Sequence, residues 1–280
     1  MFLMLEIPSD IFYVYDEISN IKINKNNFSL DNILKVNKLI SSNEKINSFF
    51  SQIHKELSSN KFLIIKGRVL DIEPLIAIVS ALAREVFFCE RLGGFYDEFE
   101  TIPFIHEYSR STDARRFHTD FSNMCNPPDY VAIQCIEEDP KHPFYGRNQI
   151  VTLENLIDKL ELVIPNSIEK LLNVKFPCKY KNEINESAIL QKENDEVFIK
   201  FHFENIIENL LNESHTINGE YIHNIIETIA LNVSEDFVLE KGDIVIASNK
   251  FCLHRRGECS LNFDKNKYSG RRIRTIRFWV

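Results

Sequence analysis

Apolar and polar positions along this chain of 280 residues follow a helical period at the front and a strand-like period behind it. In residues 29–59, apolar side chains recur at helical spacing after Ser29 and Asp31, which can both cap, and the pattern predicts one or two helices. Residues 61–66 (KFLIIK) form a short apolar run closed by Gly67, the pattern of a buried strand. Residues 72–88 predict an amphipathic helix, and Gly93-Gly94 ends that unit. Behind it the alternation shortens, and residues 102–108, 114–121 and 130–137 (YVAIQCIE) predict strands. Residues 149–151 predict a short strand leading into a helix at 153–162. Residues 181–196 are polar and charged and predict a loop; residues 197–203 alternate again, and a helical stretch then runs to about residue 233. Residues 236–239, 241–243 and 244–247 read as strand, turn and strand, and 271–280 as the last strand. Helices first and many strands after predict an α+β fold, either a β-barrel or a double-sheet jelly roll with helices packed outside. No repeat or low-complexity linker divides the chain, so residues 1–280 read as one domain.

Composition narrows the class. A hydrophobic fraction of 44% with 22 Phe is that of a globular chain. The net charge of −8 argues against a nucleic-acid partner. No apolar run reaches the roughly 18 residues of a membrane span; the longest, 74–88, is interrupted by Arg84 and Glu85. The first residues have no basic region before their short apolar stretch and no small-residue cleavage site, so no secretion signal is expected. The six cysteines form no C-x-x-C pair and read as reduced thiols of a cytoplasmic protein.

Chemistry concentrates at two places. His118-Thr119-Asp120 lies in a segment of strand-like alternation, where residues two apart share a face, so His118 and Asp120 can reach one point. His254 follows a strand that opens with Lys241-Gly242-Asp243. Two histidines and one carboxylate on one face of a metal leave its other positions open, which is the facial arrangement of Fe(II) oxygenases. H-x-D by itself recurs by chance on protein surfaces, so the context decides. That context is the basic last strand, in which Arg271, Ile273, Thr275 and Arg277 share one face. An inward arginine near a metal calls for an anion, and a dicarboxylate supplies one through a bidentate pair.

Four stretches carry a family resemblance: KFLIIKG (61–67); FHTD (117–120) followed by PDYVAIQCIEEDP (128–140); QIVTLENLIDKL (149–160); and LEKGDIVIASNKFCLHRRGECSLNFD (239–264). Together they resemble the Fe(II)/2-oxoglutarate oxygenases of the taurine dioxygenase superfamily. Within it they are most similar to the clavaminate synthase-like branch, which includes hydroxylases of free amino acids. The resemblance implies a double-stranded β-helix (jelly-roll) core over about residues 60–280, a helical part over about 1–95, and a lid at 181–196. It implies iron ligation by His118, Asp120 and His254, with Asp120 arguing against halogenation. It implies that Arg271, with Arg272 as the alternative, holds the far carboxylate of 2-oxoglutarate, and that Gln149 stands where the family has a threonine. The family's second arginine, which meets an acidic group of the substrate, falls on Thr275, and Arg277 on the same face is its substitute. His202 stands where arginine hydroxylases carry an aspartate for a cationic substrate end, so an anionic or neutral polar group is expected instead.

The implied reaction couples Fe(II), O₂ and 2-oxoglutarate to oxidation, foremost hydroxylation, of an unactivated C–H bond, with succinate and CO₂ released. The implied substrate is a free or carrier-linked amino acid or a related small metabolite. Two other classes stand beside this one. The first is a non-catalytic jelly-roll protein that binds or senses through the same metal site. The second is a cupin-type dioxygenase independent of 2-oxoglutarate, although cupins draw their ligands from a denser histidine cluster. His106, His142, His215 and His223 have no partner at ligand spacing and read as surface or packing residues; Trp279 reads as core.

Overall fold

The computed structural model describes residues 4–105, 109–173, 175–180, 183–202, 219–265 and 267–280. Its helices are α1 (Phe12–Asn20), α2 (Leu30–Ser41), α3 (Glu44–Asn60), α4 (Glu73–Leu82), α5 (Leu153–Val163), α6 (Ser167–Asn173) and α7 (Gly219–Val233). Its strands begin with β1 (Met4–Glu6), β2 (Phe62–Lys66), β3 (Glu85–Val86), β4 (Tyr96–Glu100), β5 (Tyr130–Glu137) and β6 (Asn148–Thr152). They continue with β7 (Lys175–Tyr180), β8 (Glu183–Ala188), β9 (Leu190–Glu193), β10 (Glu196–Ile199) and β11 (Glu235–Phe237). The last are β12 (Ile244–Ser248), β13 (Cys252–Arg256), β14 (Leu261–Asp264), β15 (Lys267–Gly270) and β16 (Arg272–Trp279). Among the described residues no helix is long and apolar enough to cross a membrane.

Local chemistry sets the helical layer. The backbone N–H of Ser29 donates to Asn32 Oδ1 at the start of α2, and Ile46 N–H donates to the Asn43 side chain at the start of α3. α3 stops where Lys61 turns left-handed, with φ 66°. α4 is buried along most of its length but ends at Leu82, short of the helix expected over 72–88. The reason is tertiary. Val86 and Glu85 pair with Phe278 and Trp279, and Arg84 N–H donates to Trp279 O, so the sheet takes the backbone that helical periodicity assigned to a helix.

The large sheet runs β1-β2-β12-β5-β16-β3, with β4 also paired along β16. β1 and β2 are parallel, and the other pairs are antiparallel. A smaller antiparallel sheet runs β11-β6-β13. The two sheets face each other: Ile64, Val131, Cys135 and Val245 of the large sheet share one apolar cluster with Ile150, Phe237 and Cys252 of the small one. The other face of the large sheet (Leu63, Ile65, Ala132, Ile244, Ile246, Ile276, Phe278) packs under α1–α4. The outer face of the small sheet, through Val151 and Leu253, packs under α5 and α7. The architecture is thus a mixed α/β fold with antiparallel-rich sheets layered between helices.

Several segments differ from the sequence-based expectation. The strand expected at 102–108 lies earlier, at β4, whose acidic residues mask its strand character; residues 106–108 fall outside the described ones. β4 is held by Arg274, which pairs with Glu98 at 2.7 Å. Residues 114–121 form no strand: they join the ladder through a single bridge, His118 to His254, and the chain turns from Asp120, with Phe121 at φ 54°.

The loop expected at 181–196 contains strands: β8 closes a hairpin with β7, and β9 with β10. Asn194 and Asp195 both have positive φ, the geometry of a two-residue hairpin turn that Asn and Asp tolerate. A hairpin satisfies its backbone within itself, so polar residues can line it without a buried face. The strand expected at 197–203 ends at Ile199, and the helical stretch before residue 219 lies outside the described residues, as do residues 181–182. β11 and β12 enter different sheets instead of forming a hairpin. Asp243 organises the turn between them, accepting from Lys66 Nζ (2.6 Å), Gly67 N–H (3.2 Å) and Glu240 N–H (3.0 Å).

Candidate metal centre

The single bridge at 118 does the assembly. His118 N–H donates to His254 O and His254 N–H to His118 O, both at 3.1 Å, so the two residues stand directly opposite each other. Their ring centroids are 4.6 Å apart. Asp120 follows at the turn, where Asn249 grips its backbone from both sides. Asp120 N–H donates to Asn249 Oδ1 (2.6 Å), and Asn249 Nδ2 donates to Asp120 O (2.8 Å) and Pro128 O (2.9 Å). Asp120 Oδ1 then lies 3.6 Å from His118 Nε2 and 3.7 Å from His254 Nε2. The ligand atoms that the three residues offer all lie within 4.8 Å of one another.

Protonation suits a metal. Nδ1 of His118 is 2.8 Å from Arg116 O, which fixes the proton on Nδ1 and leaves the Nε2 lone pair aimed at Asp120. Burial, then the nearby Arg115 charge, holds His118 well below the ordinary histidine range, so the ring is neutral. Burial opposes ionisation of Asp120, yet the Arg277 charge and the contacts of His254 hold its carboxyl well below the usual carboxylate range. Two imidazoles and one ionised carboxylate are the donor set that suits a divalent iron.

These residues form one wall of a cavity between the sheets, and Arg271, Ile273, Thr275 and Arg277 line it too. The shared face read from the alternation of the last strand is therefore the cavity face. Arg271 is buried, and its Nη2 donates to Asn148 Oδ1 at 2.9 Å. That acceptor is neutral, and among the described residues Arg271 has no ion-pair partner. Arg272 is exposed, lies opposite Glu100 and Glu137 in the ladder and does not line the cavity. Gln149 borders the cavity, but its Oε1 accepts from Arg255 Nε, and its amide reaches Ser234 Oγ at 3.5 Å. The neighbour it displaces is Asn148; counting two back from Ile150, which packs between the sheets, would have placed Asn148 inward.

His202 lies beside the triad, its ring centroid 5.3 Å from that of His118. Arg277 commits its donors to two carboxylates of the protein: Nε to Asp120 Oδ2 at 2.5 Å and Nη1 to Asp97 Oδ2 at 2.8 Å. Asp97 had no signal in the sequence, because its contact depends on β4 lying against β16. Among the other histidines, His223 is buried and stacks on Phe201 at 4.8 Å, a packing role as expected; His106 and His215 lie outside the described residues.

No protein-family model and no curated protein matches the sequence. Solved structures do. Asparagine oxygenase in complex with Fe(II), 2S,3S-3-hydroxyasparagine and succinate aligns with a TM-score of 0.79 at 10% identity, over 99% of this chain and 93% of that one. The non-heme iron oxygenase OrfP in complex with Fe and alpha-ketoglutaric acid aligns with a TM-score of 0.71 at 10% identity, over 100% and 94%. A taurine dioxygenase from Burkholderia xenovorans aligns with a TM-score of 0.60 at 14% identity, over 82% and 81%. The chain shares the fold of these oxygenases over nearly its whole length.

Proposed function

We propose that this chain is a non-haem Fe(II)/2-oxoglutarate-dependent dioxygenase that hydroxylates an unactivated C–H bond of an amino acid or related small metabolite, releasing succinate and CO₂. One observation carries the reading. His118, Asp120 and His254 converge on one wall of a cavity that also holds Arg271, a buried cation whose side-chain hydrogen bond goes to the neutral Asn148 and which, among the described residues, makes no ion pair. A buried cation that makes no direct ion pair is costly, and a carboxylate delivered by a ligand relieves that cost.

In this reading His118, Asp120 and His254 hold iron, which supplies the redox chemistry with O₂. Arg271 receives the far carboxylate of 2-oxoglutarate, with Asn148 orienting its guanidinium. Arg272 faces away, and Gln149 acts through Arg255, so neither is assigned a direct contact. Val131, Ile133 and Val245 give the cavity apolar walls that exclude water. Thr275 and His202 border the substrate position. The substrate class is supported by the asparagine oxygenase and OrfP structures, which hold a hydroxylated asparagine and hydroxylated arginines. The two facing sheets form the double-stranded β-helix core of a single domain, and the 181–196 segment, whose described residues belong to the β7–β8 and β9–β10 hairpins, is its lid.

The test is an anaerobic titration of the Fe(II)-loaded protein with 2-oxoglutarate, followed by the weak visible charge-transfer absorption of a chelated 2-oxo acid. Wild type develops the band only with both components, and His118→Ala does not develop it. A folded, metal-loaded wild type without the band overturns the assignment.

A further inference from the structure

Arg277 touches the carboxylate that faces the metal position and a second acid at once. Its Nε meets Asp120 Oδ2 at 2.5 Å and its Nη1 meets Asp97 Oδ2 at 2.8 Å, while its guanidinium lies 5.2 Å from the centroid of the Phe121 ring. The side chains of Arg277 and Asp97 are only 10% and 4% exposed, so water does little to weaken the contacts. Asp97 is opposite Thr275 in the β4–β16 ladder, a backbone register that leaves it little freedom to leave Arg277. The Nη1 bond to Asp97 holds the guanidinium in place, and the charge-assisted bond from Nε engages one oxygen of Asp120, Oδ2. Asp120 therefore turns Oδ1 to the two imidazoles and Oδ2 to Arg277.

Resting on the iron-oxygenase reading, we infer that Arg277 and Asp97 are a positioning pair that restricts Asp120 to one-oxygen ligation. His118, Asp120 and His254 would then hold the metal with one atom each and leave room on it for a 2-oxo acid and O₂. A carboxylate free to bind through both oxygens would take part of that room. Asp97 has a separate task. Arg277 offsets the charge of Asp120, and Asp97 returns a negative charge beside Arg277, which favours a divalent cation.

The two members of the pair therefore act with opposite sign, which a merely structural role would not produce. Asp97→Asn removes a negative charge beside Arg277 and weakens Fe(II) or Co(II) affinity about tenfold or more, the scale of an outer contact to a metal ligand. Arg277→Gln adds negative charge and frees Oδ2. It binds metal at least as tightly as wild type, but its 2-oxoglutarate affinity falls about tenfold or more. Its Fe(II)–2-oxoglutarate complex also gives a diminished electron-paramagnetic-resonance signal with nitric oxide, a probe of the open position.

If Arg277→Gln does not fold, Arg277→Lys carries the test: it keeps the charge without the fork, so metal affinity holds and 2-oxoglutarate affinity falls. Metal and 2-oxoglutarate affinities are measured by titration on the full chain, alongside thermal melts. Wild type that binds no metal at the triad overturns the oxygenase reading itself. Wild type that binds both, with Asp97 and Arg277 variants shifting metal affinity in the same direction or leaving 2-oxoglutarate affinity unchanged, overturns the positioning pair alone.

Discussion

The two faces of β16 are built from one strand and live by different rules. Toward the helical layer it sends Ile276 and Phe278, both 0% exposed, into an apolar cluster with Ile244, Ile246 and the inner side chains of α1–α4. Toward the cavity, Thr275 and Arg277, with Arg271 just before the strand, stand among buried charges. The first face is held by area removed from water and tolerates any residue of similar shape. The second is held by specific partners: Arg277 by Asp97 and Asp120, Arg271 by Asn148. Stability and chemistry are thus separated by one backbone thickness, and a substitution should report which face it touches.

The sharpest test of that separation is His254→Ala on the cavity side. It removes a metal ligand, so the 2-oxoglutarate-dependent absorption and turnover are expected to fall to background while the thermal melt stays near that of wild type. Phe278→Ala on the opposite face should do the reverse. A fully buried aromatic truncated to Ala costs about 3–5 kcal/mol, seen as a shifted urea midpoint, with metal affinity of the folded protein unchanged. Loss of metal affinity without loss of stability in Phe278→Ala would break the comparison. Arg271→Gln gives an intermediate effect. A charge-assisted hydrogen bond is worth about 1.5–3 kcal/mol, so the 2-oxoglutarate dissociation constant should rise roughly tenfold to a hundredfold, with Fe(II) affinity unaltered.

The smallest effect belongs to a group on neither face. Glu161 accepts from Ser167 Oγ (2.7 Å), Ile168 N–H (2.7 Å) and Asn166 N–H (3.1 Å), and these bonds depress its pKa. A depressed carboxylate contributes stability above its unfolded pKa of about 4.3 and loses it as pH falls through the folded value. The melting difference between wild type and Glu161→Gln should therefore be present at neutral pH and shrink in acid. Because the group is partly exposed, added salt should reduce it as well.

Local pattern determined a good deal of this protein. Period-two alternation identified β5 and β6 almost to the residue and put Arg271, Ile273, Thr275 and Arg277 on one face. These readings held because a face is a property of neighbours two residues apart, and that spacing is written in the chain itself.

What only the tertiary structure decided are the partners across that face. Asp97 reaches Arg277 because β4 lies beside β16, a pairing across a long stretch of sequence. Asn148, not Gln149, meets Arg271 because the small sheet turns that side of β6 inward. The helix expected over 72–88 ended early for the same reason, its last residues being claimed by the edge of a sheet formed from the far end of the chain. Periodicity says which way a side chain points. What stands opposite it depends on strand order and register, set by the packing of the whole domain.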